Sequence, residues 1–192
     1  MGIFSKNKGS KEKNKLRLQN IVDLTIKSAI PSGWKMKTFA IGGLTEVGFS
    51  KKNPRLLLII SSQGRGVIDC SKLELTARDH DTTYDWINSY ELWSFGIGEL
   101  SDEKVLVGGL HGGGLPHTCI FGDSLIYMAT DWPTIDIIFE PNLKSVFKEE
   151  DAQDCYRVFH NSGLRAFGFS YNGQYFIIAT SSEVMVYSKE IS

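Results

Sequence analysis

Cysteine is scarce in this 192-residue chain, and its three copies, Cys70, Cys119 and Cys155, contain no Cys-x-x-Cys pair. That spacing excludes a four-cysteine zinc site and argues against a disulfide framework, so a reducing cytoplasm is the expected compartment. Long apolar runs are also missing. Leu56–Ile60 is among the longest at five residues, against the ~20 needed to cross a bilayer, and Met1–Phe4 is too short for a secretory core. No membrane span is expected. Met1-Gly2 lacks the Ser or Thr at the sixth position that myristoylation wants, since Lys6 stands there. A Gly-x-Ser-x-Gly elbow is absent, which removes esterase chemistry of the α/β-hydrolase type. The histidines and carboxylates (His111 and His117, Asp79-His80-Asp81, His160) match no metal spacing, so neither a metal nor another cofactor is expected and no catalytic residue is assigned.

Net charge is nearly absent at −1 but unevenly spread. Lys6, Lys8, Lys11, Lys13, Lys15 and Arg17 face only Glu12 in the first 17 residues, leaving that segment at +5 and the remainder at −6. Scattered charges without interleaved aromatics read as a solvated, disordered arm over 1–15, with no nucleic acid expected. From Leu16, the spacing of Leu18, Ile21, Val22, Thr25, Ile26 and Ala29 predicts an amphipathic helix over 16–31, ended by Pro31-Ser32-Gly33 and packing on the main domain. Hydrophobic residues make up 42% of the chain, enough for one well-packed domain, placed at 32–192.

That domain carries an internal repeat. LTEVGFSKKNPRLLLIISS at 44–62 reappears as LRAFGFSYNGQYFIIATSS at 164–182, an ungapped offset of 120. Each copy reads as a strand ending in Phe-Ser, a turn (Lys51-Lys52-Asn53-Pro54 or Tyr171-Asn172-Gly173-Gln174), an apolar strand, a short turn and a third strand. Short β-prone runs separated by turn residues fill the rest. The fold class expected is therefore all-β, an antiparallel meander of repeated hairpins with one N-terminal helix. The pattern over 44–70 and 164–187 resembles blades of the WD-repeat and related β-propellers. An offset of 120 is three blade lengths of ~40 residues, which implies a small four-bladed propeller with further blades near 84–123 and 124–163, and Met36–Ile41 closing the last blade. Three irregular sheets or a β-sandwich are the alternatives.

The candidate site is the string VLVGGLHGGGLPHT at 105–118, where glycines surround two histidines. Consecutive amides in such a loop can cradle an anion or let a ligand approach the backbone. His111, Gly112, Gly113, Gly114 and His117 are the candidate ligand-binding residues, joined by Asp131 and Trp132 in a turn-like Thr-Asp-Trp-Pro string. Trp93 and Phe95 read as core anchors. The expected function is a non-enzymatic binding module that presents these loops to a protein, a peptide or a small ligand. The alternative is a hydrolase acting on an anionic substrate, with the glycine loop holding the anion and His111 or His117 as acid/base.

Overall fold

The computed structural model describes residues 3–190. In chain order its elements are helix α1 (Ile3–Asp23), strands β1 (Trp34–Ala40), β2 (Leu44–Phe49), β3 (Leu56–Ser61), β4 (Gly64–Asp69), β5 (Glu74–Arg78), β6 (Ile87–Asn88), β7 (Trp93–Phe95), β8 (Lys104–Leu106), β9 (Gly108–Gly109), β10 (Ser124–Asp131) and β11 (Thr134–Glu140), a short helix α2 (Glu149–Ala152), and strands β12 (Tyr156–Asn161), β13 (Leu164–Phe169), β14 (Tyr175–Thr180) and β15 (Glu183–Lys189). Strands dominate and helices are few, so the class is all-β. The strands form four antiparallel sheets, and no closed barrel or propeller is detected among the described residues.

The chain divides into two compact units rather than one domain from residue 32 onward. The first joins the segment before Ser32 to Gly122–Ser162, and the second joins Ser32–Phe121 to the residues from Gly163 on. In the first unit, β10, β11 and β12 make a three-stranded sheet. The stripe on α1 explains its place here, because Val22 is buried with Met128, Ile138, Val146, Ala152 and Cys155, and Leu18 and Ile21 pack against that cluster. The helix expected over 16–31 instead covers Ile3–Asp23, so the arm read as disordered is helical from Ile3. Lys, Glu, Gln and Arg are good helix formers, and the polar segment extends the helix toward the N-terminus. Its other end closes where the Thr25 hydroxyl donates to Val22 O at 2.6 Å. Ile26 then forms a parallel bridge to Tyr156.

The second unit holds both copies of the repeat as equivalent three-stranded meanders, β2-β3-β4 and β13-β14-β15. Each first strand shifts register at the same place, between Leu44 and Glu46 and between Leu164 and Ala166. The ungapped alignment does not survive pairing. Phe49 faces Leu57, whereas Phe169 faces Phe176, so Leu57 corresponds to Phe176 at an offset of 119. The cause is a first turn (50–55) one residue longer than the second (170–174). In both copies a serine closes the strand: Ser50 N donates to Leu56 O at 3.0 Å and Ser170 N to Tyr175 O at 2.9 Å.

A fourth strand completes each copy. β1 pairs with β15 from Trp34↔Lys189 to Ala40↔Glu183, placing the early strand on the late sheet as expected, and β5 occupies the same place beside β4. The intervening segments carry three-stranded meanders of their own, β6-β7-β8 and β10-β11-β12, without copying the motif. β3 explains its unbroken apolar run. Leu57 and Ile59 enter a core with Val47, Phe49, Ile177 and Val186, while Leu56, Leu58 and Ile60 face Val67, Trp86, Leu100 and Val105. A strand covered on both faces needs no polar alternation. Trp93 and Phe95 are not core anchors. Lys104 lies over both rings, at 4.0 and 5.3 Å, and Phe95 is 41% exposed.

Burial pushes the Cys155 thiol up to about 12 and keeps the Cys70 thiol protonated as well. Asp69, fully buried at the end of β4, runs the other way. Burial opposes its charge, but hydrogen bonds from the Ser71 hydroxyl and the Lys72 and Ser71 amides, with the Arg55 guanidinium 2.8 Å away, hold its carboxyl below the usual range. A depressed carboxyl contributes stability above its unfolded value and loses it as pH falls through the folded one. Urea midpoints between pH 7 and pH 2 should therefore fall on the acid side in the wild type and fall less steeply in Asp69→Asn; parallel curves would exclude this linkage.

Candidate functional site

The glycine-rich string is placed by β2. Its central residues pair with β9, Glu46 opposite Gly109 and Val47 opposite Gly108. Beyond β9 the chain turns back at once, with Leu110 N donating to Thr45 O at 2.9 Å, Gly109 N to Gly112 O at 2.9 Å and Gly112 N to Gly109 O at 3.2 Å. Three amides of the loop are thus bonded to backbone carbonyls, which removes them from any anion cradle.

The turn sets His111 over Glu46. The carboxylate is 2% exposed, and its Oε1 lies 2.5 Å from His111 Nδ1. A carboxylate buried in an apolar strand requires such a partner. With Nδ1–H donating to Glu46, Nε2 of a neutral ring is left as an acceptor for an incoming group. Half of the imidazole remains accessible, at 49% exposure. It opens on a recess of ≈ 290 Å³ lined also by Thr45, Ile60, Tyr84, Ile87 and Ser89. Its Tyr84 ring lies 5.5 Å from that of Trp86. Ser89 makes no hydrogen bond to His111 among the described residues.

The other residues singled out from the sequence separate into different roles. Gly113 has φ +73°, and a Cβ there would lie 2.5 Å from Val107 O, so this glycine fixes the path of the chain. Gly112 and Gly114 have nothing within 4 Å of a built Cβ. His117 does not line the recess; its ring stacks on Phe167 at 4.1 Å, and partial burial lowers its pKa. The string continues along β13, where Phe169 N donates to Pro116 O at 2.7 Å. It therefore crosses the first strand of both copies. Asp131 and Trp132 belong to the first unit, where Asp131 pairs with Lys15 at 2.5 Å and Trp132, 77% exposed, forms the tip of the β10–β11 hairpin.

Sequence reasoning missed Glu46, Tyr84 and Ser89, and in the first unit Thr130, Asp136 and Arg157, while His160 was considered only as a metal ligand and set aside. A signal existed for the acids. Glu46 in LTEVGF and Asp136 in TIDIIFE are single carboxylates inside otherwise apolar strands, and each is held by a histidine. No group of three or more His, Cys, Asp or Glu among the described residues is arranged to hold a metal ion. No helix among them is long and apolar enough to cross a membrane. No protein-family model matches the chain, and no curated protein or solved structure with significant similarity is found.

Proposed function

We propose that the protein is a non-enzymatic binding module and that its ligand enters the recess at His111. The observation that carries this reading is the 2.5 Å contact between His111 Nδ1 and the buried Glu46 carboxylate, which holds the imidazole among the residues that line the recess and leaves Nε2 without a partner in that contact. The ligand suited to it is a peptide or small molecule offering a hydrogen-bond donor to Nε2 beside an apolar or aromatic group for Ile60, Ile87 and Tyr84. The notion of an anion held by loop amides is weakened by their internal bonds.

A thermal-shift screen of small amides, alcohols and short peptides tests the reading. A ligand present at 100 times its Kd stabilises the folded state by ~2.7 kcal/mol, so hits should raise the melting point of the wild type and fail to do so in His111→Ala. That variant should itself melt below the wild type, because it leaves the buried Glu46 carboxylate without its partner, so each shift is read from the protein's own ligand-free midpoint. Hits that act equally on His111→Ala would overturn the proposal.

A second reading has one observation in its favour: Ser89 lines the same recess as the His111–Glu46 pair. A serine, a histidine and an acid are the parts of a hydrolytic triad. An organophosphonate reagent distinguishes the two. Labelling of Ser89 that disappears in His111→Ala supports the hydrolase, and an unlabelled Ser89 supports the binding module.

A further inference from the structure

The first unit contains a second histidine–carboxylate pair, built independently of the recess at His111. Asp136 sits within β11, is 1% exposed and lies opposite His160 on β12. His160 Nδ1 lies 2.7 Å from Asp136 Oδ1, and the Thr130 hydroxyl donates to Oδ2 at 2.5 Å. Arg157 Nη1 is 3.7 Å from Oδ1. All four residues line a cavity of ≈ 460 Å³ that is also bounded by Asn20 and Asp23 of α1.

Arg157 is the unusual member. Its side chain is only 22% exposed, yet its sole ion pair among the described residues is the 3.7 Å contact to Asp136, beyond hydrogen-bond length. None of its five N–H donors is hydrogen-bonded to a described side chain or carbonyl. Its nitrogens keep some access to solvent, so these donors are free to turn to a group that enters the cavity. Elsewhere around the cavity the charges are already matched: Asp23 pairs with Lys27 at 3.1 Å and Asp131 with Lys15 at 2.5 Å. The acids at the rim therefore do not repel an incoming anion as free carboxylates would.

We propose that this cavity binds a small organic oxyanion, a carboxylate or a phosphate ester. The Arg157 fork takes two of its oxygens, because a planar guanidinium matches an O–X–O edge in bidentate fashion, where a lysine would supply only a point charge. His160 Nε2, which has no bonded partner among the described residues, makes the next contact and donates when the ring is protonated. Asp136 takes no direct part in binding; it positions the imidazole and anchors Arg157 electrostatically. A volume of ≈ 460 Å³ exceeds what a bare ion needs, so the oxyanion is one end of a larger molecule whose polar remainder meets Asn20.

The test is a titration of the full chain with phenyl phosphate, benzoate and inorganic phosphate at constant ionic strength, following the Arg157 Nε–H and His160 ring signals by NMR, with chloride as the control. Saturable shifts of both residues with at least one oxyanion, and none with chloride, are expected. Which probe saturates separates phosphate from carboxylate chemistry. Arg157→Met should weaken binding at least tenfold, and Arg157→Lys should bind between the two. Linear, unsaturated shifts with every oxyanion in the wild type would overturn the proposal whether or not the variants fold. So would an Arg157→Met protein that folds and binds within twofold of wild type.

Discussion

Phe49→Ala and Phe169→Ala should each lower the unfolding free energy by about 3–5 kcal/mol, the usual cost of emptying a buried phenylalanine site. The two rings end the first strand of each repeat copy at 1% and 0% exposure, and they face Leu57 and Phe176 across the hairpin. The surroundings differ in how far they can relax. Phe169 lies 5.6 Å from Phe176, whose ring stacks on Tyr187 at 4.0 Å and meets Trp34 edge-on at 4.8 Å. Stacked rings held on three strands collapse less readily into a cavity than Leu57 does, so Phe169→Ala should be the costlier change. Urea unfolding of both variants gives the comparison; losses under ~1 kcal/mol would show that these side chains are not core.

Gly48→Ala and Gly168→Ala should also be damaging, at about 1–3 kcal/mol or more each. These are equivalent positions of the repeat, and each admits another stretch of chain against the strand. A Cβ on Gly48 would fall 2.1 Å from Leu106 O, and one on Gly168 would fall 2.5 Å from Leu115 Cβ and 2.7 Å from Pro116 O. The obstacles at Gly48 and Gly168 include backbone oxygens, which cannot swing aside as a flexible side chain would. Gly114→Ala provides the control, having nothing within 4 Å of its built Cβ, and should melt within a degree or two of wild type. Soluble, fully folded Gly48→Ala and Gly168→Ala proteins with wild-type midpoints would refute the close approach.

The same glycines show what the sequence made legible. Their coincidence at an offset of 120 announced a repeat, and the apolar runs announced its strands, because hairpin periodicity is a local property of the chain. The one-residue difference between the two turns was invisible, since Ser181-Ser182 aligns with Ser61-Ser62 by identity even though pairing sets Thr180 and Ser61 at equivalent places. Register is decided by cross-strand bonding and burial, and an ungapped match can hide a slip. The split into two units was equally hidden, because α1 finds its core partners in Met128, Ile138 and Val146, more than a hundred residues along the chain. At the site, the glycine string stands out by its composition, but three of its amides are spent on Thr45, Gly109 and Gly112. What it contributes is one side chain, His111, delivered to a glutamate that lies 65 residues earlier.

The claim that this recess is where the protein meets its ligand is tested most directly by mapping backbone and imidazole chemical shifts with a thermal-shift hit, in the wild type and in Glu46→Gln. Shifts concentrated at Thr45, Tyr84, Ser89 and the His111 ring, weakened when Glu46→Gln removes the charge that holds the imidazole, are the expected result. Saturable shifts that avoid all four residues, or that are identical in both proteins, would contradict it.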